Sequence, residues 1–299
     1  MLTEPQRLFV TGGRGRLASL IADYFRAPAH EVSLYSRTPG AGFHPLGTLQ
    51  SPAAFPAAAT VLHLAWSTLP ATSEQHPRSE WEHDLPALER LLAAMSAAPQ
   101  PGRLHFVFFS TGGAVYGNAP ARASREDDPC QPLGHYGRAK VAAEELVAHA
   151  ARGGLPCTIL RISNPYGYPV PRGRAQGIIP HALRCAMEGI PLSLWGDGSA
   201  RKDFLYYTDF LSGLGQVVAR RLTGTFNLSA GASHSIAEVL ALIEAEVGRA
   251  IVRHCSPAPA WDVQDSRLDN RRLVAATGWR PQVSLAEGLR RTAAGYVLH

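Results

Sequence analysis

The sequence has few cysteines and no long hydrophobic run. It contains four cysteines in 299 residues and no CxxC pair, so we predict neither a zinc site nor a disulfide framework. No apolar run approaches the ~20 residues that span a bilayer, and the amino terminus lacks the charged and apolar regions of a signal peptide. These absences favour a protein of the reducing cytoplasm with no membrane partner.

Charged residues are also sparse, and they are not concentrated in one segment. They make up 18% of the chain, the net charge is +5, and the arginines are scattered. Because nucleic-acid-binding surfaces need clustered basic residues, we expect no nucleic-acid partner, whereas a phosphorylated small molecule would suit the mild excess. The acidic run at residues 126–128 has no other hard ligands at suitable spacing, so no metal site is predicted.

The first half of the chain alternates short apolar runs with helical patterns. The apolar runs are typical of strands that are buried on both faces: RLFVTG, EVSLYS, TVLHLAW, RLHFVFFST and CTILRIS. Helices are predicted at residues 17–27, 81–97 and 137–152. This order predicts an α/β fold with a Rossmann-like, doubly wound parallel sheet.

The pattern changes after about residue 165. The last part mixes short helices with loops, and PLSLWGDGSARKDFLYY contains a hairpin-like turn. We therefore predict a Rossmann domain over residues 1–165 and a smaller, mixed C-terminal lobe over residues 166–299. The lobe would mainly bind substrate and would send segments back to the first domain.

Glycines mark the junction between the first strand and the first helix. The sequence TGGRGRLA has a GxxGxxA spacing that includes Gly12 and Gly15. Glycines here let the backbone turn tightly and approach a pyrophosphate, whose charge the helix N-terminus stabilises. We expect Gly12, Arg14, Gly15, Arg16 and Leu17 to contact a dinucleotide, although a purely structural turn would show similar glycines. The predicted domain is therefore a dinucleotide-binding domain.

The end of the second strand bears on which dinucleotide is bound. An acidic residue there would hydrogen-bond a free ribose 2′-hydroxyl, but VSLYSRTP offers Ser36 and Arg37 instead. A guanidinium binds a 2′-phosphate in a bidentate fork, and Arg14 would close the same pocket from the other side. We therefore favour NADP(H), with NAD(H) as the alternative. Arginines that are exposed to solvent and bind no ligand would give the same sequence pattern.

A tyrosine and a lysine lie four residues apart at the start of a predicted helix. The stretch GHYGRAK places Tyr136 and Lys140 on one helix face. A nearby ammonium favours phenolate and would lower a tyrosine pKa that is ordinarily about 10, so that tyrosine can exchange a proton. A tyrosine and a lysine at this spacing also occur by chance in helices. The functional interpretation is favoured because the preceding strand ends in Ser110 and Thr111, whose hydroxyls are suited to polarising a carbonyl.

A series of ordered motifs resembles those of one known family. They are TGGRGRLA, VLHLAW, STGGAVYG, YGRAK, LRISNPYG, GDGSARKDF, FNLSAG and TGWRP. In this order they resemble the extended short-chain dehydrogenases/reductases, and within that family the sugar-nucleotide epimerases, dehydratases and ketoreductases. The resemblance covers nearly the whole chain.

The resemblance implies roles for the residues around the cofactor. Tyr136 would be the general acid/base, and Lys140 would tune its pKa and bind the nicotinamide ribose. Leu64 and Ala65, which follow His63 in VLHLAW, would line the cofactor. The resemblance also implies a homodimer, formed by the helix at 81–97 and one face of AEELVAHA.

Other residues are implied to bind the substrate, a small-molecule nucleotide sugar. Asn164 matches a substrate-side asparagine, and Ser110 lies at the strand end where a hydroxyl meets the reacting oxygen. Lys202 stands where the family usually has an arginine facing the substrate diphosphate, with Arg201 adjacent. A second diphosphate ligand is absent from its usual place, and Arg267 would substitute for it.

The catalytic hydroxyl is displaced by one residue. Counted back from Tyr116, its usual position in the family is Gly112, so we expect Thr111 to supply the hydroxyl. Dehydration would need a carboxylic acid beside that hydroxyl, and Gly112, Gly113 and Ala114 provide none.

These observations lead to an expected reaction and its alternatives. We expect an NAD(P)-dependent oxidoreductase that reduces a C4-type keto group of a nucleotide-activated sugar by hydride transfer, with Tyr136 as general acid. The alternative is a redox-neutral nucleotide-sugar epimerase that retains NAD, ahead of a dehydratase. From a different class, a non-catalytic dinucleotide-binding sensor would share the fold, but it would not need a tuned phenol.

Overall fold

The computed structural model of the chain describes residues 6–26, 30–38, 40–118, 122–168 and 177–296. The chain divides into two compact units. The first unit comprises Met1–Thr111, Gly134–Arg161 and Leu214–Phe226, and the second comprises Gly112–Leu133, Ile162–Gly213 and Asn227–His299. The assignment of residues 166–299 to substrate binding stays a prediction.

The strands and helices follow one another in the order expected for an α/β chain. The strands are β1 (Arg7–Thr11), β2 (Glu31–Ser36), β3 (His44–Pro45), β4 (Ala59–His63), β5 (Leu104–Thr111), β6 (Cys157–Ile162), β7 (Asn164–Tyr166), β8 (Leu192–Trp195), β9 (Arg201–Tyr206), β10 (Gly224–Leu228), β11 (Ser233–Ser235), β12 (Arg253–Ser256) and β13 (Asp265–Ser266). The helices are α1 (Arg16–Arg26), α2 (Pro70–Gln75), α3 (Leu85–Ser96), α4 (Gly112–Val115), α5 (His135–Arg152), α6 (Ile178–Glu188), α7 (Tyr207–Ala219), α8 (Ile236–Val247), α9 (Arg271–Thr277) and α10 (Leu285–Tyr296).

A seven-stranded sheet forms the centre of the first unit. Its order is β10-β6-β5-β4-β1-β2-β3, and β1 pairs in parallel with β2 and β4, as β4 does with β5. Strands β4 and β6 are buried along their whole length, as their unbroken apolar runs predict. The Rossmann-like parallel sheet is thus confirmed. Because these strands are parallel, Thr11, His63 and Thr111 end at one edge of the sheet.

The predicted helices of the first half are present, with one local departure. Helix α1 buries Ala18, Ile21, Ala22 and Phe25, the spacing of an amphipathic helix. The helix predicted at 81–97 begins as a π-helical turn over Glu80–Asp84 and continues as α3. Pro86 lacks the N–H that an α-helix would donate to the preceding turn, which accounts for the irregular start.

The second unit is built around β9 and three helices. Strand β9 pairs with β7, β11 and β13, while β8 pairs in parallel with β12. A turn is present at residues 196–198, between β8 and β9, as predicted. The two strands do not pair with each other, so the turn does not close a hairpin. Apolar side chains of α6, α8 and α10 form a core that includes Leu183, Val239, Leu240 and Leu289.

Candidate active site

The glycine turn after β1 has the geometry expected of a phosphate-binding turn. Gly12 has a φ of +69°, a conformation that favours glycine, and the Gly15 N–H donates to the Gly12 carbonyl at 2.7 Å. Arg14 lies exposed within the turn. Arg16 and Leu17 begin α1, whose N-terminus follows the turn directly, an arrangement that binds anions in many proteins.

The end of β4 lies against this turn. A Cβ atom on Gly12 would come within 3.0 Å of the Ala65 nitrogen and of the Leu64 carbonyl carbon, so only glycine fits there. The Ala65 N–H donates to the Thr11 hydroxyl at 3.1 Å, and that hydroxyl also contacts His63 Nδ1 at 3.0 Å. The structure thus brings Gly12, Leu64 and Ala65 together.

His63 stays neutral in this arrangement. Its ring is buried, and burial together with the positive charge of Lys140 lowers its pKa to about 3. A neutral His63 can hold Thr11, which in turn holds the backbone of Ala65. Both are positioning residues that the motif VLHLAW did not by itself reveal.

Two arginines lie near the end of β2. Ser36 is buried, and its hydroxyl accepts the Thr38 N–H at 3.3 Å. Arg14 Nε donates to the Thr38 carbonyl at 3.2 Å. The Arg37 side chain is 58% exposed, with its Nη1 atom 3.9 Å from Asp84 Oδ1. Both guanidinium groups thus lie close to the carboxyl end of β2.

Lys140 points from α5 into the interior of the first unit. Its side chain is 4% exposed, and Nζ donates to the Phe109 carbonyl of β5 at 3.0 Å. The same Nζ atom lies 5.8 Å from the centre of the Tyr136 ring. Burial lowers the pKa of Lys140 to about 7, because the interior disfavours the charged form.

The pKa of Tyr136 is raised rather than lowered, so the expected shift toward phenolate is wrong for the chain alone. Burial is the main cause, and the negative charges of Glu80 and Asp84 add to it. Tyr136 is therefore a protonated phenol across the neutral pH range. Such a group is prepared to donate a proton.

The π-helical turn carries both of these carboxylates. Glu80 is fully buried and its Oε1 atom accepts the Thr68 hydroxyl at 2.5 Å. Asp84 accepts the Ser67 N–H at 3.0 Å and also the Ser67 hydroxyl. Sequence reasoning missed this acidic pair; its only signal is the four-residue spacing in EWEHD.

Ser110 and Thr111 end β5 in different environments. The Ser110 hydroxyl donates to Glu144 Oε1 at 2.5 Å, and Glu144 is paired with Arg161. The Thr111 side chain is partly exposed and has no hydrogen-bond partner among the residues that the structure describes. Thr111 is therefore the better-placed hydroxyl for a ligand, and a substrate contact by Ser110 would require it to leave Glu144.

The structure gives a steric reason for Gly112. In the second unit, a Cβ atom on Gly112 would lie 2.3 Å from Leu268 Cδ1, and Leu268 is 2% exposed. The position that usually carries the hydroxyl is therefore filled by a neighbouring side chain.

We expect Gly112→Ser to destabilise the protein by about 1–3 kcal/mol, the usual result of overpacking a core. Urea unfolding measures the change. Gly102→Ser is the matched control, since a Cβ there meets nothing within 4 Å. Gly112→Ser should cost less stability in a Leu268→Ala background, where the clashing side chain is removed, than in the wild type. A Gly112→Ser chain as stable as wild type would mean that the site has room for a hydroxyl.

The predicted diphosphate ligands on β9 already have partners within the second unit. Lys202 Nζ donates to Asp262 Oδ1 at 3.1 Å, and Arg201 Nη2 donates to the Ser233 carbonyl at 2.7 Å. A diphosphate would have to share or displace these contacts. Their substrate-binding role stays a prediction.

The remaining two substrate-side residues are also held by neighbours. Asn164 Nδ2 donates to the Asp203 carbonyl at 2.9 Å, and Arg267 Nε lies 3.0 Å from Asp265 Oδ2. The amide oxygen of Asn164 is left for other contacts. The fold and these contacts together define an α/β protein of the Rossmann type, in which Tyr136 and Lys140 lie one helical turn apart on α5.

Comparison with known proteins agrees with this class. Residues 8–229 match the sequence profile of the NAD dependent epimerase/dehydratase family. The chain is 33% identical over 199 residues to a UDP-glucose 4-epimerase of Mycolicibacterium smegmatis, covering 66% of this chain and 63% of that protein. It is 29% identical over 237 residues to a dTDP-4-dehydro-6-deoxyglucose reductase of Escherichia coli, covering 77% of this chain and 72% of the other.

Solved structures give the same result. The crystal structure of the UDP-glucose 4-epimerase of Thermus thermophilus in complex with NAD has a TM-score of 0.85 at 28% identity, covering 98% of this chain and 99% of that one. The chain therefore belongs to the NAD-dependent epimerase/dehydratase family, whose relatives named here are enzymes acting on nucleotide sugars, and the resemblance predicted from its motifs is confirmed.

Two kinds of feature are absent from the part of the chain that the structure describes. No helix there is long and apolar enough to cross a membrane. Within the same ranges, no group of three or more histidine, cysteine, aspartate or glutamate side chains is arranged to hold a metal ion.

Proposed function

We propose that this protein reduces the C4 keto group of a nucleotide-activated sugar, using NADPH. The observation that carries the proposal is the arrangement at the end of β5. Tyr136 lies one helical turn before Lys140, whose amine is fixed to the Phe109 carbonyl, and Thr111 ends the same strand. A proton donor, a cation and a hydroxyl are thus grouped within the first unit.

The first unit fits a nicotinamide dinucleotide, because the turn at Gly12 leaves no space for a side chain and leads directly into the N-terminus of α1. When bound, the dinucleotide supplies the hydride that adds to the keto carbon. Tyr136 donates its phenolic proton to the carbonyl oxygen, so the carbonyl gains one hydride and one proton and becomes an alcohol. Thr111 hydrogen-bonds that oxygen, and the Lys140 ammonium stabilises the phenolate left on Tyr136.

The protonation state of Tyr136 suits a reduction. Because its pKa is raised by burial and by Glu80 and Asp84, the resting tyrosine is an acid, which a reduction needs. The experiment is to incubate the purified chain with NADPH and a panel of UDP- and dTDP-4-keto sugars, and to follow the loss of NADPH absorbance. Absence of NADPH consumption with every member would contradict the proposal.

We expect Arg37→Ala to weaken NADPH binding by about 10–100-fold and to leave NADH binding nearly unchanged, because a charge-assisted contact to the 2′-phosphate is lost. Calorimetric titration with each dinucleotide measures this. Arg26→Ala is the matched control, since Arg26 is another exposed arginine of the first unit, at the far end of α1. NADH binding as tightly as NADPH in the wild type would contradict the NADP preference.

A redox-neutral C4 epimerase is the second candidate. It is favoured by the similarity to UDP-glucose 4-epimerases, one of which is solved with NAD. An epimerase would retain NAD through purification and would interconvert UDP-glucose and UDP-galactose with no net change in dinucleotide absorbance. Product analysis after incubation with UDP-glucose alone separates it from the reductase.

We also infer that two copies pair through the helices of the first unit. A groove runs between α3, the π-helical turn that precedes it, and α5. It is lined by Trp81, Leu85, Pro86, Leu146 and His149. Trp81 is 50% exposed, and a large apolar ring in such a groove suits burial against another protein surface. Light scattering of the purified chain tests this, and a monomeric mass would contradict it.

A further inference from the structure

Lys140 is surrounded by aromatic rings. Its Nζ atom lies 3.8 Å from the centre of the Trp66 ring and 4.8 Å from that of Phe108. Its hydrogen bond runs to the Phe109 carbonyl, and the described residues offer no carboxylate at ion-pair distance. A buried ammonium with so few polar contacts is costly, so attraction to the aromatic faces is a substantial part of what compensates it.

Trp66 is held so that it presents the face of its ring. It follows Ala65, whose N–H is fixed by Thr11, and it packs edge-on against Phe108 at 6.2 Å between ring centres. Its indole Nε1 is buried and has no acceptor among the described residues. The ring is therefore held by packing, and its contact with Lys140 is made through the π face.

Charged groups from each neighbouring element act on Lys140. The Lys140 ammonium is favoured by Asp84 and Glu80 of the π-helical turn and by Glu144 of α5. Burial outweighs these three charges, and the pKa of Lys140 falls to about 7. His63 of β4 is neutral near pH 7, since its own pKa is about 3. The pKa of Tyr136 lies above its ordinary range. Of Lys140, His63 and Tyr136, it is thus Lys140 that changes charge near neutral pH.

We propose that Trp66 is a positioning residue for Lys140, whose indole face keeps the amine charged and held at the Phe109 carbonyl, from where it acts on Tyr136. The proposal rests on the proposed function in one respect: it takes the Lys140 ammonium to stabilise the phenolate of Tyr136. The contact between Trp66 and Lys140 is independent of turnover and can be measured without any dinucleotide.

The first test is a fluorescence titration of the chain without cofactor. Loss of the Lys140 proton removes a cation from the Trp66 face, so tryptophan emission should change in one step near neutral pH. The step should vanish in Lys140→Met and in Trp66→Phe, and persist in Trp195→Phe, which removes an exposed tryptophan of the second unit. A step that survives in Lys140→Met would overturn the proposal, whether or not the chain reduces keto sugars.

The second test is the pH profile of kcat/KM. Without the aromatic face, the Lys140 pKa falls further, so in Trp66→Leu the activity should be lost on the alkaline side about one pH unit earlier. Trp66→Phe keeps a ring face and should shift less. An equal fall in activity at every pH, with the alkaline limb unmoved, would make Trp66 a packing residue only and would overturn its positioning role.

Discussion

Turnover of the Tyr136→Phe chain is expected to fall by about two to four orders of magnitude, the usual contribution of a general acid. The Tyr136 phenol is half-buried and stays protonated near neutral pH, since desolvation, Glu80 and Asp84 raise its pKa. Phenylalanine keeps the ring and removes only the proton donor. Initial rates with saturating dinucleotide and keto sugar measure the loss, and dinucleotide affinity should change little.

Tyr24→Phe is the matched control for this substitution. Tyr24 lies on α1 and is 38% exposed, so losing its hydroxyl should leave turnover near that of the wild type. The two variants remove the same atom from one half-buried and one exposed tyrosine of the same unit. If Tyr136→Phe turns over within a few-fold of the wild type, the proton must come from another group and the assignment of Tyr136 fails.

The fold was predictable where the pattern is local. Unbroken apolar runs predicted β4 and β6 because both strands are buried on both faces, and the 3.6-residue period predicted α1. The pairing of β8 with β12 was not predictable in this way. Ser193 and His254 are partners across these strands, but they lie far apart in the chain, and no local pattern connects them.

The same distinction holds for the candidate site. The glycine turn was predictable because its conformation depends on Gly12 itself and on its immediate neighbours. The environment of Ser110 was not, since its partner Glu144 lies 34 residues further on. The sequence likewise marked Gly112 as unusual, but it could not identify Leu268 as the side chain that fills the space.

The state of the tyrosine was mispredicted for a physical reason. Sequence reasoning weighed only the lysine four residues away, which favours phenolate. Burial and the carboxylates Glu80 and Asp84 act on the pKa in the opposite direction, and both depend on tertiary packing. This reversal bears on the proposed function, because it leaves Tyr136 protonated at rest, the state in which it could act as the proton donor of a reduction.

The Arg161→Met chain is expected to be less stable than the wild type by about 3–5 kcal/mol. Arg161 and Glu144 have side chains only 8% exposed, and Arg161 Nη2 lies 2.7 Å from Glu144 Oε2. Arg161 Nε contacts both carboxylate oxygens at 3.1 Å. Removing the arginine leaves the Glu144 carboxylate buried, with the Ser110 hydroxyl as its remaining side-chain donor among the described residues, and a hydroxyl cannot neutralise the charge. Urea unfolding at neutral pH measures the loss.

Two further variants separate the buried charge from lost packing. In Arg161→Met/Glu144→Leu both charges are gone, and most of the stability should return, because an apolar pair of similar volume often replaces a buried ion pair without loss. Arg7→Met removes the arginine of an exposed pair with Glu31, whose side chains are 38% and 64% exposed, and should change stability little. An Arg161→Met chain no less stable than Arg7→Met would show that Glu144 does not depend on Arg161 as its charge partner.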